Sequence, residues 1–300
     1  MTAALTPTVI SPNVSLTSGP CVWITGADGL IGNALVQSAS SDVPSWRVTG
    51  LNREILELTD FAAVEERFNS AQPSLIIHCA ALSKSPACQA NPRLARKVNV
   101  EVTRLLSQLS TEIPFIFFSS DLVFDGRKGN YIESDAPNPL SIYAETKLEA
   151  EQLVQRNSRH TVIRTSLNAG ASPGGGRSFN EEMCLGWKAG KTLNLFDDEY
   201  RCPLHATVTA RAIWQIARVN ATGLYHLAGS ERLSRWEIGQ LLAVRHPELN
   251  PKIHRGLLKD YEGPPRSPDT SLICAKLQAL LPFTLPGFSE WLRENPQAPF

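Results

Sequence analysis

No stretch of this sequence carries the roughly 20 consecutive apolar residues that a membrane span requires. Neither sign of charge is in excess: 29 lysines and arginines face 29 aspartates and glutamates, a formal net charge of +0. That balance gives no electrostatic reason to expect nucleic acid or a membrane surface as a partner. The cysteines (Cys21, Cys79, Cys88, Cys184, Cys202 and Cys274) are scattered, with no C-x-x-C pair and no neighbouring histidine at ligand spacing. Neither a disulfide framework nor a metal site is therefore expected, and each thiol reads as a small buried side chain. The start lacks the basic residues and unbroken apolar block of a secretory signal. Residues 1–19, small, hydroxylated and proline-punctuated, read as a loose tail, and the chain as cytoplasmic.

What is present is an alternation. From Pro20 to about Ile163, short apolar runs (CVWIT, WRVTGL, SLIIHCA, PFIFFSS, HTVIRT) are separated by longer stretches of helical periodicity. Nearly continuous apolar strands belong to parallel sheets buried on both faces, joined by helical crossovers. The expected fold is a doubly wound α/β sheet of the Rossmann type over residues 20–165. After Thr165 the pattern loosens. Asn168 to Arg177 (NAGASPGGGR) reads as a flexible glycine-rich loop. Helices are expected around Phe179–Ala189, Ala206–Val219 and Ser234–Val244, with a short strand at Leu224–Leu227. Residues 166–300 are thus expected to form mainly a smaller α/β substrate lobe.

The first apolar run leads into Gly26-Ala27-Asp28-Gly29-Leu30-Ile31-Gly32 and then a helical pattern. A G-x-x-G-x-x-G turn between strand and helix lets the backbone approach a pyrophosphate, and the helix start offers free N–H groups to it. The second run ends at Leu51-Asn52-Arg53, without the acidic residue that grips the ribose hydroxyls of NAD. Arg53 is placed to meet a 2′-phosphate instead, so NADP(H) is favoured over NAD(H).

Tyr143-Ala144-Glu145-Thr146-Lys147 opens a stretch of strong helix formers, which sets the phenol and the ammonium on one helix face. A free phenol, with a pKa of about 10, is a poor acid at neutral pH, and a nearby cation shifts it towards ionisation. That is the arrangement general acid–base work asks for.

Taken with TGADGLIG (from Thr25), IIHCAA (from Ile76), VNV (from Val98), SSDLVFDG (from Ser119), YAETK and VIRTS (from Val162), the chain resembles the extended short-chain dehydrogenase/reductase family. Within it, DDEYRCP (from Asp197), GLYHLAG (from Gly223) and RSPDTSL (from Arg266) resemble the dTDP-4-dehydrorhamnose reductase branch. The resemblance implies a catalytic set of Ser120, Tyr143, Lys147 and Asn99. Tyr143 would protonate the substrate oxygen, Ser120 would hydrogen-bond it, and Asn99 would support Lys147 through water or simply pin a helix. Beyond the glycines, it implies Asp28, Leu30, Ile31, Asn52, Cys79, Ala80 and Ala81 as cofactor neighbours.

For the substrate it implies Ser119, Phe124, Arg201 and Arg266. Arg266 is the better match to a diphosphate ligand, and Arg201 reads either as a second one or as surface charge. Leu122 stands where related dehydratases carry a glutamate, which argues against dehydration. Two readings follow. One is an NAD(P)H-dependent reductase of a keto group on a nucleotide-linked deoxysugar, placed in dTDP-rhamnose biosynthesis, with a reductase or epimerase for another substrate as a variant. The other is non-catalytic, because the branch also resembles the NADP-binding regulatory beta subunit of methionine adenosyltransferase. A homodimer is one assembly open to either.

Overall fold

A computed structural model describes residues 19–300. The tail expected at the start therefore lies, except for Gly19, outside the described residues. Six parallel strands form the central sheet: β1 (Cys21–Thr25), β2 (Arg47–Leu51), β3 (Leu75–His78), β4 (Phe115–Ser120), β5 (Thr161–Thr165) and β6 (Gly223–Leu227). Their order is β6-β5-β4-β3-β1-β2. The helices used below are α1 (Leu30–Asp42), α2 (Phe61–Ala71), α3 (Ser85–Ala90), α4 (Pro92–Arg96), α5 (Val102–Leu109), α6 (Ile142–Val154), α7 (Phe179–Lys188), α8 (Ala206–Arg218) and α9 (Arg235–Arg245).

The strands are apolar throughout because both sheet faces are covered. Successive side chains of a strand point to opposite faces. Val22, Ile24, Ile77 and Phe118 enter one core with Leu35 of α1 and Trp214 of α8. Trp23, Ile76, Phe115 and Phe117 enter the other, with Val64 of α2, Leu106 of α5 and Ala150 of α6. Trp23 meets Phe68 edge-on at 6.0 Å. Buried Trp187 and Trp291 pack in the lobe, in line with tryptophans serving packing. Among the described residues no helix is long and apolar enough to cross a membrane.

From β1 the chain goes outward to β2 and then crosses to β3 on the other side of β1. The crevice at the carboxyl ends of β1 and β3 is thus the topological switch point, where open α/β sheets bind ligands.

The sixth strand was expected in the lobe, and the structure corrects that. Residues Gly223–Leu227 pair in parallel with Thr161–Thr165, and α8 packs on α1, so both belong to the sheet domain. Periodicity predicts a strand but not its pairing partner, which here is 62 positions away by register (Gly223 against Thr161). The rest of the second half builds its own core from Phe179, Met183, Leu195, Ile238 and Phe288, around a parallel pair of Thr192–Phe196 with Lys252–Gly256.

The glycine-rich segment is also less free than expected. Asn168–Ala169 pairs with Leu204–His205. Glu181, the capping-box residue of α7, then accepts from the backbone N–H of Ser172 (2.7 Å), Arg177 (2.9 Å) and Ser178 (3.0 Å). His205 and His226 both have partners: Thr207 Oγ1 lies 2.8 Å from His205 Nδ1, and the Tyr131 carbonyl 3.1 Å from His226 Nδ1.

One buried ion pair clamps α6 to the sheet. Arg164 of β5 donates to Glu151 through Nε (3.0 Å) and Nη2 (2.8 Å), and both side chains are buried. A desolvated pair adds little over an apolar filling, but removing one partner strands the other charge. Arg164→Ala is expected to lower unfolding stability by about 3–5 kcal/mol in a urea titration. A loss below about 1 kcal/mol, the scale of an exposed pair, would show that the clamp does not hold α6.

Candidate active site

The site is assembled around two close backbone approaches. Gly26 follows β1 with φ +69°, and a Cβ on it would lie 2.8 Å from the Ala80 nitrogen, in the loop after β3. Gly32, one turn into α1, faces the Gly26 carbonyl so closely that a Cβ would stand 2.3 Å from it. The Gly29 N–H donates to Gly26 O at 2.8 Å, and no side chain caps α1. The amides of Leu30 and Ile31 therefore open the helix without a competing acceptor, which fits a dinucleotide's pyrophosphate.

Thr25 Oγ1 accepts from Ala80 N–H (3.3 Å) and lies 2.7 Å from His78 Nδ1, closing β1 onto β3. His78 is fully buried, and burial pulls it down to about 3, so it is neutral packing. Burial pushes the neighbouring Cys79 thiol well up, and Ala81 continues the same loop. At the end of β2, Asn52 Nδ2 donates to Asp28 Oδ1 (3.2 Å), joining two of the expected cofactor neighbours. The Arg53 side chain is 84% exposed, with Glu57 at 3.5 Å.

Ser120 and Tyr143 are brought together, Lys147 follows one turn on along α6, and Asn99 lies behind them. Ser120 ends β4, and its hydroxyl accepts from Leu122 N–H (3.2 Å). Ser141 caps α6 by accepting from Ala144 N–H (3.3 Å), which starts the helix so that Tyr143 faces the strand end. Burial raises the Tyr143 phenol above its ordinary value, while a hydrogen bond with Ser120 pulls the other way. Ser119, expected at the substrate, keeps a buried hydroxyl with no partner among the described residues. Lys147 is 3% exposed, with Nζ 4.1 Å from the Phe117 ring centroid. Burial pushes its ammonium down to about 7, against the pull of Glu151.

Asn99 lies in a π-helical turn, Lys97–Glu101, between α4 and α5. Such turns often mark functional sites. Its Oδ1 accepts from Leu82 N–H (2.8 Å), and its Nδ2 donates to Leu82 O (3.1 Å) and to Thr146 Oγ1 (3.0 Å). It thus pins the loop after β3 directly to α6, one residue before Lys147.

The expected substrate residues need two corrections. Phe124 is 0% exposed and stacks on Tyr131 with centroids 4.0 Å apart, so it supports the site from within and faces no ligand. Arg201 is not surface charge: its guanidinium is buried, donating to Glu199 Oε1 (2.8 Å) and to the carbonyls of Tyr200 (2.7 Å) and Ser267 (3.0 Å). Arg266 is also engaged, with Nε donating to Glu199 Oε2 (2.9 Å) and Nη2 to Oε1 (2.8 Å). Burial alone would raise the Glu199 carboxyl, but Arg201, Arg235 and Arg266 outweigh it and hold it below the usual carboxylate range.

Glu199 and Asp121 were missed as site residues. Asp121 accepts from Ser120 (3.2 Å), Ser166 (2.9 Å) and Thr270 (2.8 Å). Both acids stood inside quoted motifs, and the signal that they matter is a carboxylate amid otherwise buried sequence. A cleft of about 130 Å³ separates this cluster from Ser141 and Leu122. Among the described residues no cluster of potential ligands could hold a metal ion.

The sheet and the glycine turn are those of the extended short-chain dehydrogenase/reductase class. The family model for the RmlD substrate binding domain matches residues 21–297, and the chain belongs to that family. It is 30% identical over 285 residues to dTDP-4-dehydrorhamnose reductase of Sinorhizobium fredii, covering 90% of this chain and 94% of the relative. It is also 30% identical over 279 residues to methionine adenosyltransferase 2 subunit beta of Xenopus laevis, covering 86% and 81%. A solved dTDP-4-dehydrorhamnose reductase from Bacillus anthracis, in complex with NADP, superposes with a TM-score of 0.83 at 22% identity, over 92% of this chain and 98% of that one.

Lys147 carries a prediction with a definite sign. Its folded pKa of about 7 lies below the ordinary 10.5, so between these values the unfolded chain binds more protons and stability rises with pH. The cost of burying the ammonium is fully present below pH 7 and fades towards 10.5. In the protein free of dinucleotide, Lys147→Met should raise Tm most below pH 7 and progressively less above it. A Tm gain independent of pH would contradict a buried ammonium.

Proposed function

We propose that this chain is an NADPH-dependent reductase of a keto group on a nucleotide-linked deoxysugar, of the dTDP-4-dehydrorhamnose reductase kind. The observation that carries the reading is the meeting of the Ser120 and Tyr143 hydroxyls at the end of β4, beside a buried Lys147 and next to the glycine turn. The dinucleotide, when bound, supplies the reducing equivalent. The chain's own residues place the carbonyl and handle its proton. Ser120 donates a hydrogen bond to the substrate oxygen, aimed at the charge that develops there. Tyr143 gives the same oxygen its proton, and the resulting phenolate is stabilised by the Lys147 ammonium. Asn99 acts as a positioning residue through Leu82 and Thr146.

The preference for NADPH rests on the exposed Arg53 guanidinium and on Asn52 and Arg53, rather than an acidic residue, standing directly at the end of β2. Its pairing with Glu57 is solvent-exposed and therefore weak competition for a phosphate.

A second reading is a dinucleotide-binding regulatory subunit, favoured by the equal identity to methionine adenosyltransferase 2 subunit beta. Fold cannot separate the two, because function resides in the substrate site. Co-purification with a methionine adenosyltransferase catalytic subunit, without turnover of any keto-sugar nucleotide, would favour this second reading.

The test follows NADPH oxidation after adding a dTDP-4-keto-6-deoxy sugar. Turnover is expected, and Tyr143→Phe should lower kcat by about 10²–10⁴-fold while NADPH still binds. NADPH binding with no turnover of this sugar would leave the dinucleotide site standing and move the reading to a different substrate or to the regulatory role. Arg53→Ala should weaken NADPH binding about tenfold and leave NADH unaffected, measured by fluorescence titration. Equal losses for both cofactors would remove the assigned 2′-phosphate contact.

A further inference from the structure

The cleft beside Ser120 and Tyr143 contains arginines that already share an internal carboxylate. Leu122 and Ser141, each two residues from the reacting hydroxyls, line it together with Glu199, Arg201, Tyr261 and Arg266. Glu199 is 1% exposed and is held on both oxygens, by Arg266 through two donors and by Arg201 through one. Arg201 directs its other donors to two backbone carbonyls, and its Nε lies 3.7 Å from Asp121 Oδ2. A guanidinium fork binds one planar anion at a time in its bidentate mode. The Nε–Nη2 fork of Arg266 is thus taken by Glu199, leaving only its Nη1 edge, and Arg201 has no donor pair turned to the cleft. Arg235 adds a third arginine to the charges that act on Glu199, so Glu199 and Asp121 offset two of three cations and the cluster keeps a net charge of +1.

We infer that Glu199 is a specificity-determining residue, an internal anion that competes with a substrate diphosphate for Arg266 and Arg201. The inference rests on the nucleotide-sugar reading of this cleft and says how that substrate is held. A diphosphate entering here must displace a buried carboxylate from its bidentate partner or lie against its like charge, and both oppose binding. The nucleotide is then gripped through its nucleoside and sugar, and the diphosphate adds little. A glutamine at this position would keep the shape and a hydrogen bond to the arginines while giving up the charge, freeing the forks for phosphate oxygens.

The test titrates dTDP calorimetrically into NADPH-saturated wild type and Glu199→Gln. The variant should bind dTDP about tenfold more tightly or better. Equal or weaker binding overturns the inference. Should Glu199→Gln not fold, wild type alone decides. Its affinities for dTDP and dTMP should agree within about threefold, and an advantage of more than about tenfold for the diphosphate overturns the inference. NADPH affinity, measured in the same samples, and the Tyr143-dependent oxidation above report on the reductase reading separately, so the two failures are distinguishable.

Discussion

Where β4 ends, the Asp121 carboxylate is 4% exposed and accepts hydrogen bonds from Ser120, Ser166 and Thr270. These donors come from three distant stretches: the strand carrying the reacting serine, the segment after β5, and the C-terminal region. A buried charge without such partners would be prohibitively unfavourable, so the three stretches have to converge on it. Arg201 adds a cation from the lobe at 3.7 Å. The seating of the lobe on the sheet edge, and with it the position of the substrate cleft, follows from satisfying this one group.

A second constraint is burial at Tyr143 and Lys147. Desolvation dominates both groups: it raises the Tyr143 phenol and pushes the Lys147 ammonium down to about 7. The helix that carries them is fixed by the Ser141 cap, the Asn99–Thr146 hydrogen bond and the Arg164–Glu151 clamp. Rigid placement on a helix, backed by packing and hydrogen bonds, is what a reactive pair of this kind needs. Relatives of both kinds match most of this chain, and in it Glu199 occupies the arginines of the cleft opposite.

Much of the site was legible because its signals are local. The glycine turn after β1 and the tyrosine–lysine spacing on α6 are both set by a handful of consecutive residues. Phe124 shows the limit: it stands in a diagnostic motif, but motif membership says nothing of side-chain direction, and it points into the core against Tyr131. Arg201 shows another, since whether an arginine is exposed depends on acids remote from it, such as Asp121. Asn99 was legible as a residue, but its bonds to Leu82 and Thr146 were not.

The sequence by itself determined the doubly wound sheet, the glycine turn and the placing of Tyr143 and Lys147 one turn apart on one helix, because apolar runs, glycine spacing and helical periodicity are short-range properties. Only the tertiary structure decided that Gly223–Leu227 completes the sheet, that Phe124 faces inward, and that Arg201 and Arg266 share the buried Glu199. Each of these depends on which distant segments meet, and burial and charge pairing are properties of that meeting rather than of any stretch of chain.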